Sequence, residues 1–246
     1  MLGATLVVAA GVALGAVGDL TQKAGKAGCI SDTGTGGACV DGTELHAATS
    51  IAISPDGKNA YLASQSSGSL TVYNRSATTG ALTQKPGEAG CFKRTGTAGV
   101  CRSTPGMEAA DAVAVSPDGK NVYVATYFVG SVVTFDRNTS TGALTPKAPD
   151  TGCISSDADL PGCSDGKALA GGESLAVSPD GENVYVASNS SRAVAILDRD
   201  TTNGLLTQKD DATACVSDTG SGPCADGRAL DSPTGVVVSN DGKYVY

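Results

Sequence analysis

Eight cysteines carry the most regular chemistry in this 246-residue chain, as the pairs Cys29/Cys39, Cys91/Cys101, Cys153/Cys163 and Cys215/Cys224. Nine residues separate the first three pairs and eight the last. Structural zinc usually wants gaps of about two to four residues in paired knuckles, and dithiol redox chemistry wants Cys-x-x-Cys, so neither fits. Eight cysteines allow about a hundred connectivities, but one pair per repeat makes local bridging the economical expectation. Closing loops this short stabilises by roughly 2–3 kcal/mol, mainly by restricting the unfolded chain. Such bridges imply an oxidising compartment, extracellular or at the cell surface.

Acids recur around these pairs. Asp32 and Asp41, Asp157 and Asp165, and Asp218 and Asp226 flank three of the four loops, whereas the second carries Lys93, Arg94 and Arg102. Paired carboxylates with turn carbonyls suit Ca²⁺, which takes about six to eight oxygens. The competing reading is ordinary Asp-Gly turn chemistry with solvated charge. No cofactor is required on either reading, and Ca²⁺ is the cation the pattern would admit. The turn holding Asp198, Asp200 and Asn203 fails as a calcium loop, because Gly204 falls one place late and Lys209 stands where the last ligand should be.

The single histidine, His46, excludes a multi-His metal centre within one chain. Its period equivalents are Glu108, Ala170 and Asp231. His46 as general base, with Glu108 and Asp231, would be the catalytic set for activating water against a ring ester. The alternative is a lone polar residue at a strand entry. No Gly-x-Ser-x-Gly elbow, phosphate loop or dinucleotide fingerprint is present. Sequons at Asn74, Asn138 and Asn189 would matter only in a eukaryotic secretory pathway.

Seventeen Lys and Arg against 25 Asp and Glu leave a net charge of −8. A phosphate backbone would repel such a chain, so nucleic acid is excluded as a partner, as is a basic membrane-surface helix. Glycine is abundant, at 33 residues, while aromatics make up only 4%. That composition suits many short strands and tight turns.

The elements that must position these groups come from repetition. The tetrad Ser54-Pro55-Asp56-Gly57 returns as Ser116 to Gly119, Ser178 to Gly181 and Ser239-Asn240-Asp241-Gly242, at spacings of 62, 62 and 61 residues. Alternating β-branched runs flank each tetrad, such as Val113-Ala114-Val115 before and Val122-Tyr123-Val124 after. Pro presets the first corner, Asp bonds its own backbone and Gly supplies φ > 0, which predicts hairpins near 47–64, 109–126, 171–188 and 232–246. A third strand (Leu70 to Tyr73, Val132 to Phe135, Val194 to Leu197) ends in a polar turn, including Asp136-Arg137-Asn138 and Asp198-Arg199-Asp200. A short fourth strand follows at Ala81 to Thr83, Ala143 to Thr145 and Leu205 to Thr207. The pattern predicts an all-β chain: a β-propeller of four-stranded blade repeats, each with a disulfide loop.

The run Ser116 to Ala125, Ser-Pro-Asp-Gly-Lys-Asn-Val-Tyr-Val-Ala, resembles the Tyr-Val-Thr-Asn-type repeats of the lactonase-like propeller family, over most of residues 18–246. That family is usually seven-bladed and includes bacterial 6-phosphogluconolactonase and fungal carboxymuconate cyclase. The resemblance implies a propeller fold and, as one reading of activity, opening of a sugar lactone or related cyclic ester. The cysteine segments look more like those of secreted bacterial members.

Four repeats could form a closed four-blade ring or part of a larger array. Residues 1–17 are an apolar run that reads either as a signal-like segment or as a degenerate strand, and no membrane span is expected in residues 18–246. The disulfide loops are expected to crown one face together, around the channel mouth, and that face is the expected binding surface, for a protein or carbohydrate ligand. Two functions follow: a secreted binding or scaffold module using that face, or a hydrolase of cyclic esters.

Overall fold

The computed structural model describes residues 22–220 and 222–246, so the two readings of residues 1–17 lie outside it. Each Ser-Pro-Asp-Gly tetrad closes a hairpin as its residue types dictate. The Gly57 N–H donates to the Ser54 carbonyl at 2.8 Å, the Ser54 N–H to the Asn59 carbonyl at 3.0 Å, and Gly57 takes φ +68°. The Asp56 carboxylate accepts from Ser54 Oγ at 2.6 Å and from the Lys58 N–H at 3.1 Å, which ties the loop to itself.

Strands β1 (Ile30–Ser31) and β2 (Val40–Asp41) form a two-stranded parallel pair. The first complete blade contains β3 (Ala48–Ile53), β4 (Asn59–Ser64), β5 (Ser69–Arg75), β6 (Leu82–Gln84), β7 (Cys91–Lys93) and β8 (Arg102–Ser103). The second has β9 (Ala110–Val115), β10 (Asn121–Thr126), β11 (Ser131–Arg137), β12 (Leu144–Pro146), β13 (Cys153–Ser155) and β14 (Ser164–Asp165). The third has β15 (Gly172–Val177), β16 (Asn183–Ser188), β17 (Ala193–Arg199), β18 (Leu206–Thr207), β19 (Cys215–Ser217) and β20 (Ala225–Asp226). The fourth hairpin is present at 232–246, closed by reciprocal bonds between Val237 and Tyr246. Among the described residues the sheets do not close into a ring: three complete blades stand between β1–β2 and this hairpin.

Each blade is larger than the expected four strands. Both β6 and β7 lie on the same free edge of β5, one against each half, so they act as one interrupted fourth strand. Then β8 adds to β7 in parallel as a fifth position. All four expected disulfides are present: Cys29–Cys39, Cys91–Cys101, Cys153–Cys163 and Cys215–Cys224, each with S–S between 1.98 and 2.06 Å. Each staples a parallel addition onto the edge of its sheet. Neighbouring blades meet through β3, β9 and β15, at the opposite edge. The disulfide segments therefore lie on the outer edges of the blades and do not crown a channel mouth, because the strands they staple add to the sheet edge away from β3, β9 and β15.

Between the first two blades a core of Tyr61, Leu70, Phe92, Met107, Val122 and Phe135 is sealed from water, with the Phe92 and Phe135 rings edge-on at 5.1 Å. An equivalent core joins the second and third blades around Tyr123, Val132, Ile154, Leu175 and Leu197. Each junction also buries a guanidinium. Arg137, whose side chain is 1% exposed, donates from Nε to the Tyr61 hydroxyl at 2.7 Å and from Nη2 to Asp56 at 2.8 Å and Asn59 at 2.8 Å. Its Nη1 donates to the Gly119 carbonyl of its own turn, and the Tyr61 hydroxyl donates onward to the Gly142 carbonyl. Arg199 repeats the arrangement on Tyr123, Asp118, Asn121, Gly181 and Gly204. A residue expected in a solvated turn is thus the centre of each junction. Gly142 (φ +70°) is required there, since a Cβ on it would sit 2.1 Å from Asn59.

Burial pushes the Tyr61 and Tyr123 phenols up to about 12. For Asp56, burial acts upward, but bonds from Ser54, Arg137 and the Lys58 N–H outweigh it and hold the carboxyl far below the usual carboxylate range. The aspartates thus stabilise the fold above about pH 4 and lose that contribution as the pH falls further; the tyrosines stabilise it below about pH 10 and lose theirs as the pH rises through 12. Arg137→Met should cost about 3 kcal/mol in urea unfolding, because it strands buried acceptors. Arg75→Met, at the equivalent position where the guanidinium bonds only the Gly57 carbonyl of its own turn among the described residues, should cost under about 1 kcal/mol. Equal losses in the two variants would refute the assignment.

Candidate functional site

A groove opens where the first two blades meet. Residues 65–68, the β4–β5 turn, face residues 93–95 and 107–109, the path from β7 and β8 toward β9, and Phe128 closes the far side. The groove encloses about 490 Å³. The Arg94 N–H donates to the Met107 carbonyl at 2.7 Å, which holds the two parts of the second wall together. Left-handed conformations at Gly106 (φ +77°) and Ala109 (φ +53°) turn the chain from the disulfide strand into the next inner strand and leave Glu108 between them. The Glu108 carboxylate pairs with the Arg94 guanidinium, and Lys93 pairs with Glu44 at 2.9 Å. Phe128 stands at the rim, 72% exposed, with its ring edge-on to Tyr127.

The corresponding groove at the third blade encloses about 390 Å³ and has the opposite charge arrangement. There Arg192 bridges Asp218 at 2.6 Å and Asp231 at 3.1 Å. Asp218 occupies the repeat position that Arg94 fills in the first blade. The walls recur while the chemistry on them changes.

Below the first groove, the inner strands carry a second repeated feature. Pairing between inner and middle strands slips by one residue at Thr49, Asp111 and Glu173, so each is the extra residue of a β-bulge. A bulge turns its extra side chain out of the pleat alternation. Thr49 Oγ1 donates to the Asp111 carbonyl at 2.7 Å, and Gln65 Nε2, from the groove wall, donates to Asp111 Oδ2 at 3.2 Å. Burial raises the Asp111 carboxyl above its ordinary range. Glu173 is also raised, by burial first and then by repulsion from Asp111. Two acids of raised proton affinity therefore occupy the same bulge position on adjacent inner strands, and Gln65 joins Asp111 to the groove.

Among solved structures the chain is similar to a provisionally assigned 6-phosphogluconolactonase from Bacteroides fragilis, with 21% identity over 82% of this chain and a TM-score of 0.55. It is also similar to a second protein so assigned, from Bacteroides uniformis, with 20% identity over 69% and a TM-score of 0.51. The chain has the lactonase-like propeller fold. It spans 44% and 41% of those two chains, less than half their length. No family model matches it, and no curated protein does. At these identities the likeness carries the fold and leaves the activity open.

On this lactonase-like fold, the residues singled out from the sequence fall in distinct places. Glu108 lines the first groove, Asp231 pairs with the arginine of the other groove, and His46 is exposed, with its backbone tied to Ser67. No hydrogen bond or ion pair joins any two of the three. Asp32 and Asp218 accept from the Leu45 and Leu230 N–H groups at 2.8 and 3.1 Å, closing their segments onto the following turns. Asp157 caps its own turn, and Asp41, Asp165 and Asp226 are exposed on β2, β14 and β20. Among the described residues no three His, Cys, Asp or Glu side chains converge as metal ligands. Sequence reasoning missed Gln65, Asp111, Phe128 and Glu173. The signal was departure from the repeat: Phe128 aligns with Ser66 and Ser190, and Asp111 and Glu173 with Thr49 and Thr234.

The four disulfides suit an oxidising environment, extracellular or periplasmic. No helix among the described residues is long and apolar enough to cross a membrane. Because Asp111 is raised in the fold, its ionisation opposes folding as the pH climbs above about 4. Asp111→Asn can still accept from Gln65 and should match the parent at pH 4. At pH 7 it should be more stable by the order of 1 kcal/mol in urea unfolding. A variant equally or less stable at pH 7 would contradict the burial argument.

Proposed function

We propose that this chain is a secreted binding module whose first groove takes a carbohydrate. The observation that carries the reading is Phe128. An exposed aromatic ring at the edge of a polar groove matches a sugar ring, which presents one apolar C–H face and a rim of hydroxyls. Gln65, Ser66, Ser67 and Thr95 supply donors and acceptors for those hydroxyls, while the Arg94–Glu108 pair offers both within one ion pair. Since the charges there are already paired, a neutral sugar fits better than an anionic one.

A second reading is favoured by Asp111 and Glu173. Acids held at raised proton affinity suit general acid–base work near neutral pH. On that reading a sugar lactone enters the groove, Asp111 takes a proton from water as it attacks the ring carbonyl, and the ring C–O bond then breaks as Asp111 returns that proton to the departing ring oxygen. His46, Glu108 and Asp231 then serve as accessory acid–base groups at the blade entries. No step is assigned to calcium.

Binding of neutral monosaccharides and disaccharides, measured by saturation-transfer NMR, should be saturable. Phe128→Ala should weaken it about tenfold with the melting temperature unchanged. No saturable binding to the parent chain, or equal binding by the variant, would overturn the carbohydrate reading. A pH-stat assay on sugar lactones separates the second reading: proton release above the spontaneous rate, lost in Asp111→Asn and indifferent to EDTA, would make the chain a hydrolase.

A further inference from the structure

A lysine follows the short edge strand of every complete blade: Lys85 after β6, Lys147 after β12 and Lys209 shortly beyond β18. In the second and third blades it meets a carboxylate on the third strand of its own sheet. Lys147 Nζ lies 2.7 Å from Asp136, and Lys209 Nζ lies 3.8 Å from Asp198. In the first blade that strand position is Asn74. Lys85 Nζ donates there to Asn74 Oδ1 and, across the junction, to the Thr141 carbonyl of the second blade, both at 2.8 Å. Among the described residues no carboxylate forms an ion pair with Lys85.

Two neutral acceptors orient this ammonium without offsetting its charge. Burial lowers the proton affinity of Lys85 below that of an ordinary lysine. Its side chain borders a groove of about 350 Å³ between the outer edge of the first blade and the segment leaving β2. Asp41 and Thr43 form one wall, and Pro86, Gly99 and Val100 the other. The walls are held in place from both sides. The Gln84 amide accepts from the Thr43 N–H at 2.9 Å and donates to the Thr43 carbonyl at 3.0 Å, while the Gly99 N–H donates to Glu88 at 3.2 Å. This groove shares no residue with the one that Phe128 borders.

We propose that Lys85 is the most nucleophilic lysine of this chain and that the groove beside it captures small hydroxyaldehydes as an imine. An amine attacks only when unprotonated, and a lysine without a carboxylate partner reaches that state more readily than one inside an ion pair. In the step, Lys85 gives one ammonium proton to water, and its nitrogen lone pair adds to the carbonyl carbon. The carbonyl oxygen then leaves as water with the remaining amine protons, and a C=N bond replaces the C=O bond. Asp41 and Thr43 offer partners for a hydroxyl beside the carbonyl, and Pro86 and Val100 an apolar contact. The site does not rest on the carbohydrate reading of the first groove.

The test treats the intact, oxidised chain with glycolaldehyde and cyanoborohydride, which reduces the imine to a stable secondary amine, and locates the label by peptide mass mapping. At low conversion Lys85 should carry the label ahead of the exposed Lys58 and Lys120. Its labelling rate should saturate as glycolaldehyde is raised. Asn74→Asp should cut the label about tenfold, because a carboxylate at that distance raises an amine's proton affinity by about one unit or more. Asp136→Asn should bring new label to Lys147. Positions 74 and 136 are exposed and the exchanges keep side-chain shape, so folding is not in question. Labelling ordered by exposure alone, or a Lys85 label unchanged by Asn74→Asp, would overturn the nucleophile assignment, as would a Lys147 that stays unlabelled in Asp136→Asn. A rate strictly linear in glycolaldehyde would overturn capture by the groove.

Discussion

The buried guanidinium at each blade junction is the interaction on which the rest of this molecule depends. A charge taken out of water is tolerated only when its donors are satisfied, and here the partners come from both sides of the junction. Arg137 reaches Tyr61, Asp56 and Asn59 on one blade and Gly119 on its own. Those partners sit at fixed offsets on one hairpin, so a shift of one residue in register would leave several buried polar atoms unpaired. Apolar packing favours blades meeting face to face; the guanidinium decides in which register they meet.

The disulfides do a different job. Each closes a segment local in sequence and binds it to the outer edge of its own sheet, so none links one blade to another. The clasp joins residues 81 positions apart, as Asp56 and Arg137 do. Local staples hold the extra parallel strand, which is too short to hold itself, while nearest-neighbour junctions hold the array. This division suits a repeat protein, whose stability is roughly the sum of its units and their interfaces.

Function-bearing residues sit where this framework leaves freedom. The grooves are walled by backbone that recurs in every blade, yet their charges invert between Arg94 in one and Asp218 in another. The inner-strand bulges recur as Thr49, Asp111 and Glu173, three different side chains on one backbone feature. A scaffold this repetitive yields an asymmetric site only at such positions, so departures from the repeat locate candidate chemistry better than the repeat itself.

Hairpins, strand order and disulfide pairing were legible in the linear sequence, because each rests on contacts between neighbours: Pro-Asp-Gly sets a turn within four residues, and a cysteine pair closes a short loop. Arg137 and Arg199 were not legible as buried residues. An Asp-Arg pair at a strand end reads as a solvated turn until the preceding blade is placed against it. The same holds for Asp111, whose raised proton affinity comes from burial between neighbouring inner strands, and for Gln65, which meets it only across a junction. The position of the disulfide segments also required the sheet, since the spacing of cysteines does not say which edge of a strand is free. Sequence by itself determined the unit and its repetition, through short-range turn and pairing chemistry. Tertiary structure alone decided which charges lose water and which acids repel one another, because desolvation and electrostatic repulsion depend on distances between blades that no local pattern encodes.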